Sequence, residues 1–199
     1  MARTRAADFE EKQRGIVDNA AAVFAEQGMD KASMSQIAAH AQVSKALLYH
    51  YYPSKDALIL AIIMTHLEEL EDAILAADEP DLPPEQRLRR LVGAVLENYR
   101  GADNEHKVQL NATSALSEEQ RAEITEIERR IVRHFSAVLR EINPGLDRQE
   151  RPLLMPVTMS LFGMMNWVYM WFKEGGRISR DDYADVATTL ILEGIKAVR

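Results

Sequence analysis

Three features of the 199-residue chain predict an all-α fold. Apolar side chains recur at helical spacing over long runs, most clearly Leu88, Leu91, Val92, Val95, Leu96 and Tyr99, and again from Ile124 to Ile142. Two S-x-x-Q capping boxes, Ser33 to Gln36 and Ser117 to Gln120, mark helix starts. No stretch reads convincingly as a strand. Nine helices are expected.

The first should run from about Asp8 to Gln27, burying Ile16, Ala20, Val23 and Phe24 and stopping at Gly28, with Arg3 and Arg5 ahead of it in a flexible arm. The Ser33 capping box opens a short second helix containing Ile37, Ala38 and Ala41. Ala41-Gln42-Val43 is a turn, Ser44 is an N-cap, and Lys45 to Tyr51 makes about two turns before Pro53 stops them. Ser54 caps a long fourth helix reaching about Ala77, through Leu58, Ile62, Leu67, Leu70 and Ile74. Asp78 to Pro84 is a loop, with Pro84 near the first position of the next helix. A shorter helix follows at about Glu105 to Ala115, then the long stripe from Ile124 to Ile142, ended by Asn143-Pro144-Gly145.

Pro152 to Phe172 carries no charge over twenty-one positions, a length at which a membrane span has to be weighed. Thr158, Ser160, Gly163 and Asn166 interrupt it, two prolines sit in its first turns, and no basic flank supports insertion, so it reads as a helix buried on every side. The last helix, about Arg180 to Val198, should bury Tyr183, Val186, Ala187, Leu190, Ile191, Gly194 and Ile195.

Two short helices joined by about three residues make a helix-turn-helix, whose second member has the right size for a DNA major groove. The run from about Ile16 to Leu58, with AAAVFAEQGMDKAS and then SQIAAHAQVSKALLYHYYPSKDAL, resembles the DNA-binding domain of the TetR/AcrR family of bacterial transcriptional repressors. One departure is Gln42, where that family usually has glycine. The resemblance implies a nine-helix TetR-like fold, a helix-turn-helix domain over residues 1–56, and a ligand-binding and dimerisation domain over residues 57–199. On this reading Ser33 and Ser35 contact phosphate. Ser44, Lys45, Ala46 and His50 face bases or adjacent phosphates, and Tyr49, Tyr51 and Lys55 lie on the backbone. The plainer alternative is that the tyrosines only seal a small three-helix core.

Net charge is −7, unpromising for a nucleic-acid binder until it is divided. Residues 1–56 hold seven Lys/Arg and seven Asp/Glu; residues 57–199 hold 17 against 24. The N-terminal part is neutral with a locally basic face, and the acidic remainder repels DNA elsewhere. The absence of cysteine excludes disulfides and thiolate metal sites and suits a reducing cytoplasm. No apolar segment near the N-terminus reads as a secretory signal. A catalytic role finds no support in the motifs: there is no phosphate loop, G-x-S-x-G or H-E-x-x-H, and the five histidines are isolated in sequence. No cofactor or metal is expected. An adaptor dimer with a vestigial helix-turn-helix is the alternative function, and a helical enzyme the more distant one.

A monomer would struggle to cover both the helix at 152–172 and the last helix, so a homodimer through these two is expected, as the resemblance also implies. Two reading helices then meet a pseudo-palindromic double-stranded operator. The methionine-rich helix also has the composition of a cavity wall. Met155, Met159, Phe162, Asn166, Trp167 and Trp171, with Tyr99 and Asn111, are the candidate ligand contacts; core or interface packing is the competing role for each. SLFGMMNWVYMWF followed by KEGGRIS resembles TetR-like regulators that respond to CoA thioesters. An acyl-CoA or another apolar acid derivative is therefore the expected inducer; Arg100, Arg130 or Arg133 would receive its phosphates if placed at a pocket mouth, with a solvated helix face the favoured role for each.

Overall fold

The computed structural model describes residues 2–112 and 116–198, with side chains from Phe9 onward except Glu10. Among these, nine α-helices have seven residues or more: α1 (Ala2–Gln27), α2 (Met34–His40), α3 (Lys45–Tyr51), α4 (Lys55–Ala77), α5 (Pro84–Asn98), α6 (Asp103–Asn111), α7 (Glu118–Ile142), α8 (Leu154–Asn166) and α10 (Arg180–Ala197). A four-residue turn of helix, α9 (Val168–Trp171), continues α8. A 3-10 turn at Pro144–Leu146 and an antiparallel pair of two-residue strands, Asp147–Arg148 with Arg151–Pro152, follow α7.

Several boundaries follow local chemistry. Gly28 adopts φ 83° and ends α1. Ser33, Ser44 and Ser54 accept hydrogen bonds from the backbone N–H groups of Gln36, Leu47 and Ala57, three donors a helix start would otherwise leave unsatisfied. Two expectations change. Residues 2–7, including Arg3 and Arg5, are helical rather than an arm, because Ala and Arg favour helix and no Gly or Pro interrupts them. The helix begun at Leu154 breaks at Trp167 instead of running on to Phe172. The expected end of the sixth helix, Ala115, lies outside the described residues.

The chain forms two compact units. The first takes residues up to Glu68 together with Gly101–Thr125. Here α1 packs on α2 and α6, and α2 on α3. Ile16, Ala20, Phe24, Ile37, Leu48, Leu58 and Ile62 are its buried apolar centre. His66 and His106 are buried in the same unit with ring centroids 5.9 Å apart. Burial, then the neighbouring His106, holds the His66 pKa down to about 4.

The second unit takes Glu69–Arg100 and Glu126–Arg199. In it α10 lies along α5 and on α8. The α5 stripe Leu88, Leu91, Val92, Val95 and Leu96 is fully buried, as its spacing predicts. Phe135 of α7 meets Phe162 of α8 edge-on at 5.0 Å. Arg87 forks onto Asp78 at 2.8 and 3.0 Å and also reaches Glu141 at 2.7 Å. That guanidinium holds the Asp78 carboxyl below its usual range.

The last helix corrects the sequence reading. Ala184, Ala187, Thr188, Ile191 and Ile195 face inward, whereas Val186 and Leu190 are 50% and 59% exposed and Gly194 is exposed. Likewise α8 is not buried all round: Met155 and Met159 stand outward one turn apart, and Trp167, at its end, does so about two turns further on.

Candidate nucleic-acid interface and ligand-side residues

α3 is anchored by Leu48, which is wholly buried. Seven residues make a helix too short to persist alone, so its direction comes from what holds it. The preceding turn closes with Gln42 at φ 55°, the only non-glycine residue in the left-handed region among the described residues. That conformation costs a side chain on the order of 1 kcal/mol. With Leu48 down, Ser44, Lys45, Ala46, Tyr49 and His50 are all exposed. They form one continuous edge with a hydroxyl, an ammonium, a phenol and an imidazole. Ala46, small and exposed in its middle, lets a flat surface approach closely.

Ser35 is exposed at the start of α2. Ser33 is exposed too, but its hydroxyl is engaged in the capping box, donating to Gln36 Oε1 at 2.7 Å. Gln36 in turn donates to Gln27 Oε1 at 3.0 Å and ties α2 to the end of α1. Tyr51 is half-buried and Tyr52 buried at the exit of α3. Lys55 is turned back into its own unit, donating to the Met29 carbonyl at 2.7 Å.

The ligand-side candidates separate. In the second unit, Tyr99 is buried and donates to Asn166 Oδ1 at 2.9 Å. Burial raises the Tyr99 pKa, so it is a neutral donor at neutral pH. Phe162 is buried beside Phe135. Met155, Met159, Trp167 and Trp171 are between 45% and 59% exposed. Asn111 belongs to the first unit, is exposed, and donates to the Lys107 carbonyl at 2.8 Å. The arginines are already satisfied by acids. Arg130 forks onto Glu71 at 2.7 and 2.6 Å, and Arg133 meets Glu126 at 3.0 Å, both beside a groove of about 470 Å³. Arg100 meets Glu97 at 2.8 Å beside a groove of about 430 Å³.

Residues 16–62 match the family described as bacterial regulatory proteins, TetR family, and residues 81–195 match the tetracyclin repressor-like C-terminal domain. The second match alone spans more than half of the chain. The chain belongs to the TetR family. A TetR-family regulator from Bordetella parapertussis 12822 superposes with a TM-score of 0.83 at 31% identity, over 91% of this chain and 94% of that one. AibR, solved in complex with isovaleryl coenzyme A and operator DNA, superposes with a TM-score of 0.76 at 28% identity, over 90% and 97%. By sequence, the regulator BetI of Rhizobium meliloti (strain 1021) is 37% identical over 81 residues, 41% of this chain and 40% of BetI. The chain spans less than half the length of several curated relatives it matches. HbdR of Aromatoleum sp. (strain CIB) aligns over 92% of this chain and 80% of its own at 25% identity.

For a TetR-family chain the legible part of the site is the α2–α3 region, since its caps, turn and reading edge are contiguous in sequence. Two contacts between distant residues were not legible. His66 and His106 meet although they are forty positions apart, and neither sits in a motif. Phe9, for which the sequence reading assigns no role, packs its ring 4.8 Å from that of Tyr51.

Proposed function

We propose that this TetR-family regulator is a homodimeric repressor that binds a pseudo-palindromic double-stranded operator and is released by an acyl-CoA or a related apolar acid derivative. The observation that carries the DNA half is the exposed edge of α3, held outward by the buried Leu48. Ser44, Lys45, Ala46 and His50 meet bases or neighbouring phosphates. Ser33, Ser35, Tyr49 and Tyr51 meet the backbone, and Lys55 adds its charge there while holding the Met29 carbonyl. Residues 1–56 carry this reading role, and residues 57–199 carry ligand binding and dimerisation, in a protein that works in the cytoplasm.

The dimer reading is supported by the outward apolar side chains of the last two long helices, among them Met155, Met159, Val186 and Leu190. Exposed apolar side chains in such number on one chain usually mark an interface. Trp167 and Trp171 belong with that face, while Tyr99, Phe162 and Asn166 are the inward candidates for ligand contact. The acyl-CoA reading is supported by likeness to AibR, whose own complex holds isovaleryl coenzyme A.

Thermal unfolding against a panel of acyl-CoAs, free fatty acids and aromatic acids tests the ligand. A compound present at about 100 times its Kd stabilises the fold by about 2.7 kcal/mol, and the same compound should weaken operator binding through a coupling of about 1–3 kcal/mol. A flat response across the panel discards the acyl-CoA reading. The adaptor alternative is separated by salt: a phosphate-contacting dimer loses DNA affinity steeply as salt rises, and an adaptor shows no such slope.

A further inference from the structure

α3 leaves its seven residues through two consecutive tyrosines, and α1 meets both of them. The Phe9 ring lies 4.8 Å from the Tyr51 ring at 38°. One turn further along α1, Gln13 opposes the rise in pKa that burial causes at the Tyr52 phenol, although no complete hydrogen bond joins the two side chains. Phe9 and Gln13 are four residues apart, so they share one face of α1. Tyr51 also packs edge-on against His50 at 5.8 Å, which connects this contact to the exposed edge of α3.

The mechanical consequence follows from length. A two-turn helix in which Leu48 is the one fully buried side chain has little else within it to resist a tilt about that point, and a tilt moves Lys45 and His50 in opposite directions. A second hold at the exit removes this freedom. Phe9 is 47% exposed, so it adds little to the core it borders.

We propose that Phe9 and Gln13 are positioning residues for DNA reading, clamping the Tyr51–Tyr52 exit so that the α3 edge meets the groove at one fixed angle. The inference rests on the DNA-binding reading above. Neither side chain carries charge, so the clamp acts on selectivity and leaves the counterion release of phosphate contacts unchanged.

The test uses the full chain and two duplexes: one selected by the wild-type protein from a random-sequence library, and its scrambled counterpart. Loss of one aromatic pair in Phe9→Ala should weaken the selected duplex by up to about tenfold, move the scrambled duplex less than about twofold, and leave the salt slope intact. Phe9→Tyr should restore binding. Gln13→Ala, which removes no apolar packing, should act in the same direction more weakly. In a Tyr51→Ala background, Phe9→Ala should add little, since the partner ring is already gone. Unchanged selectivity in both Phe9→Ala and Gln13→Ala, equal losses on the two duplexes, or strictly additive losses in the cycle would each overturn the clamp. A wild-type protein that selects no duplex at all would overturn the DNA-binding reading, and the clamp with it.

Discussion

The Lys55 ammonium, in the first turn of α4, donates to the Met29 carbonyl at 2.7 Å and lies 3.5 Å from that of Ala32. The lysine therefore closes the connection between α1 and α2 from a helix that begins more than twenty residues later. A basic side chain at the foot of the reading unit thus has structural work independent of any phosphate. Hydrogen bonds to a charged group contribute about 1.5–3 kcal/mol. Lys55→Ala should lower stability by about that amount with no DNA present, as read by urea unfolding. Unchanged stability combined with weakened DNA binding would make the phosphate its only business.

Gln42 holds φ 55° in the turn before α3. Gln42→Gly should relieve the left-handed strain and raise stability by up to about 1 kcal/mol, part of it offset by the greater freedom of glycine in the unfolded chain. A clear drop in melting temperature would show that the Gln42 side chain contributes a contact worth more than the strain.

Burial beside His106 lowers the His66 pKa from 6.5 to about 4. The unfolded chain therefore takes up a proton at this site before the folded chain does. Stability is complete above the unfolded pKa and declines as pH falls from about 6.5 towards about 4, by on the order of 3 kcal/mol. Carboxylates such as Asp78 add their own loss at lower pH, so the informative comparison is with His66→Gln. That variant should show a flatter pH profile between these limits; an unaltered profile would exclude His66 as the source.

Lys45 and Tyr49 occupy the same exposed edge with different chemistry. Tyr49→Ala should weaken binding to selected and random duplexes alike. Lys45→Ala should also relax base preference, by about 1–3 kcal/mol at the position it reads. Equal losses on both duplexes for Lys45→Ala would reassign it to the backbone.

Leu190, 59% exposed on α10, sits on the face proposed to join two copies. Leu190→Asp buries a charge in any such interface and should shift the protein to a monomer by light scattering, while the fold of each chain persists. An unaltered mass would place the interface elsewhere.

Much of this protein was determined locally and could be read in sequence order. Ser33 with Gln36, Ser44 and Ser54 each satisfy helix N–H groups within three residues, and Gly28 and Pro84 punctuate helices through their own backbone preferences. The α5 stripe declared its buried face because its partners cover one side only. The reading edge of α3 was legible for the same reason, with cap, anchor and outward residues lying within seven positions. What tertiary structure alone decided concerns side chains whose partners are distant in sequence. Val186 and Leu190 carry the same apolar signal as Ala187 and Ile191, and only the packing of α10 on α5 and α8 sorted outward from inward. Met155 and Met159 were separated from Phe162 in the same way. The contacts of Phe9 with Tyr51, His66 with His106 and Lys55 with Met29 join positions 26 to 42 residues apart. Periodicity reports which face of a helix is apolar; which neighbour covers that face is settled by the closing of the chain upon itself.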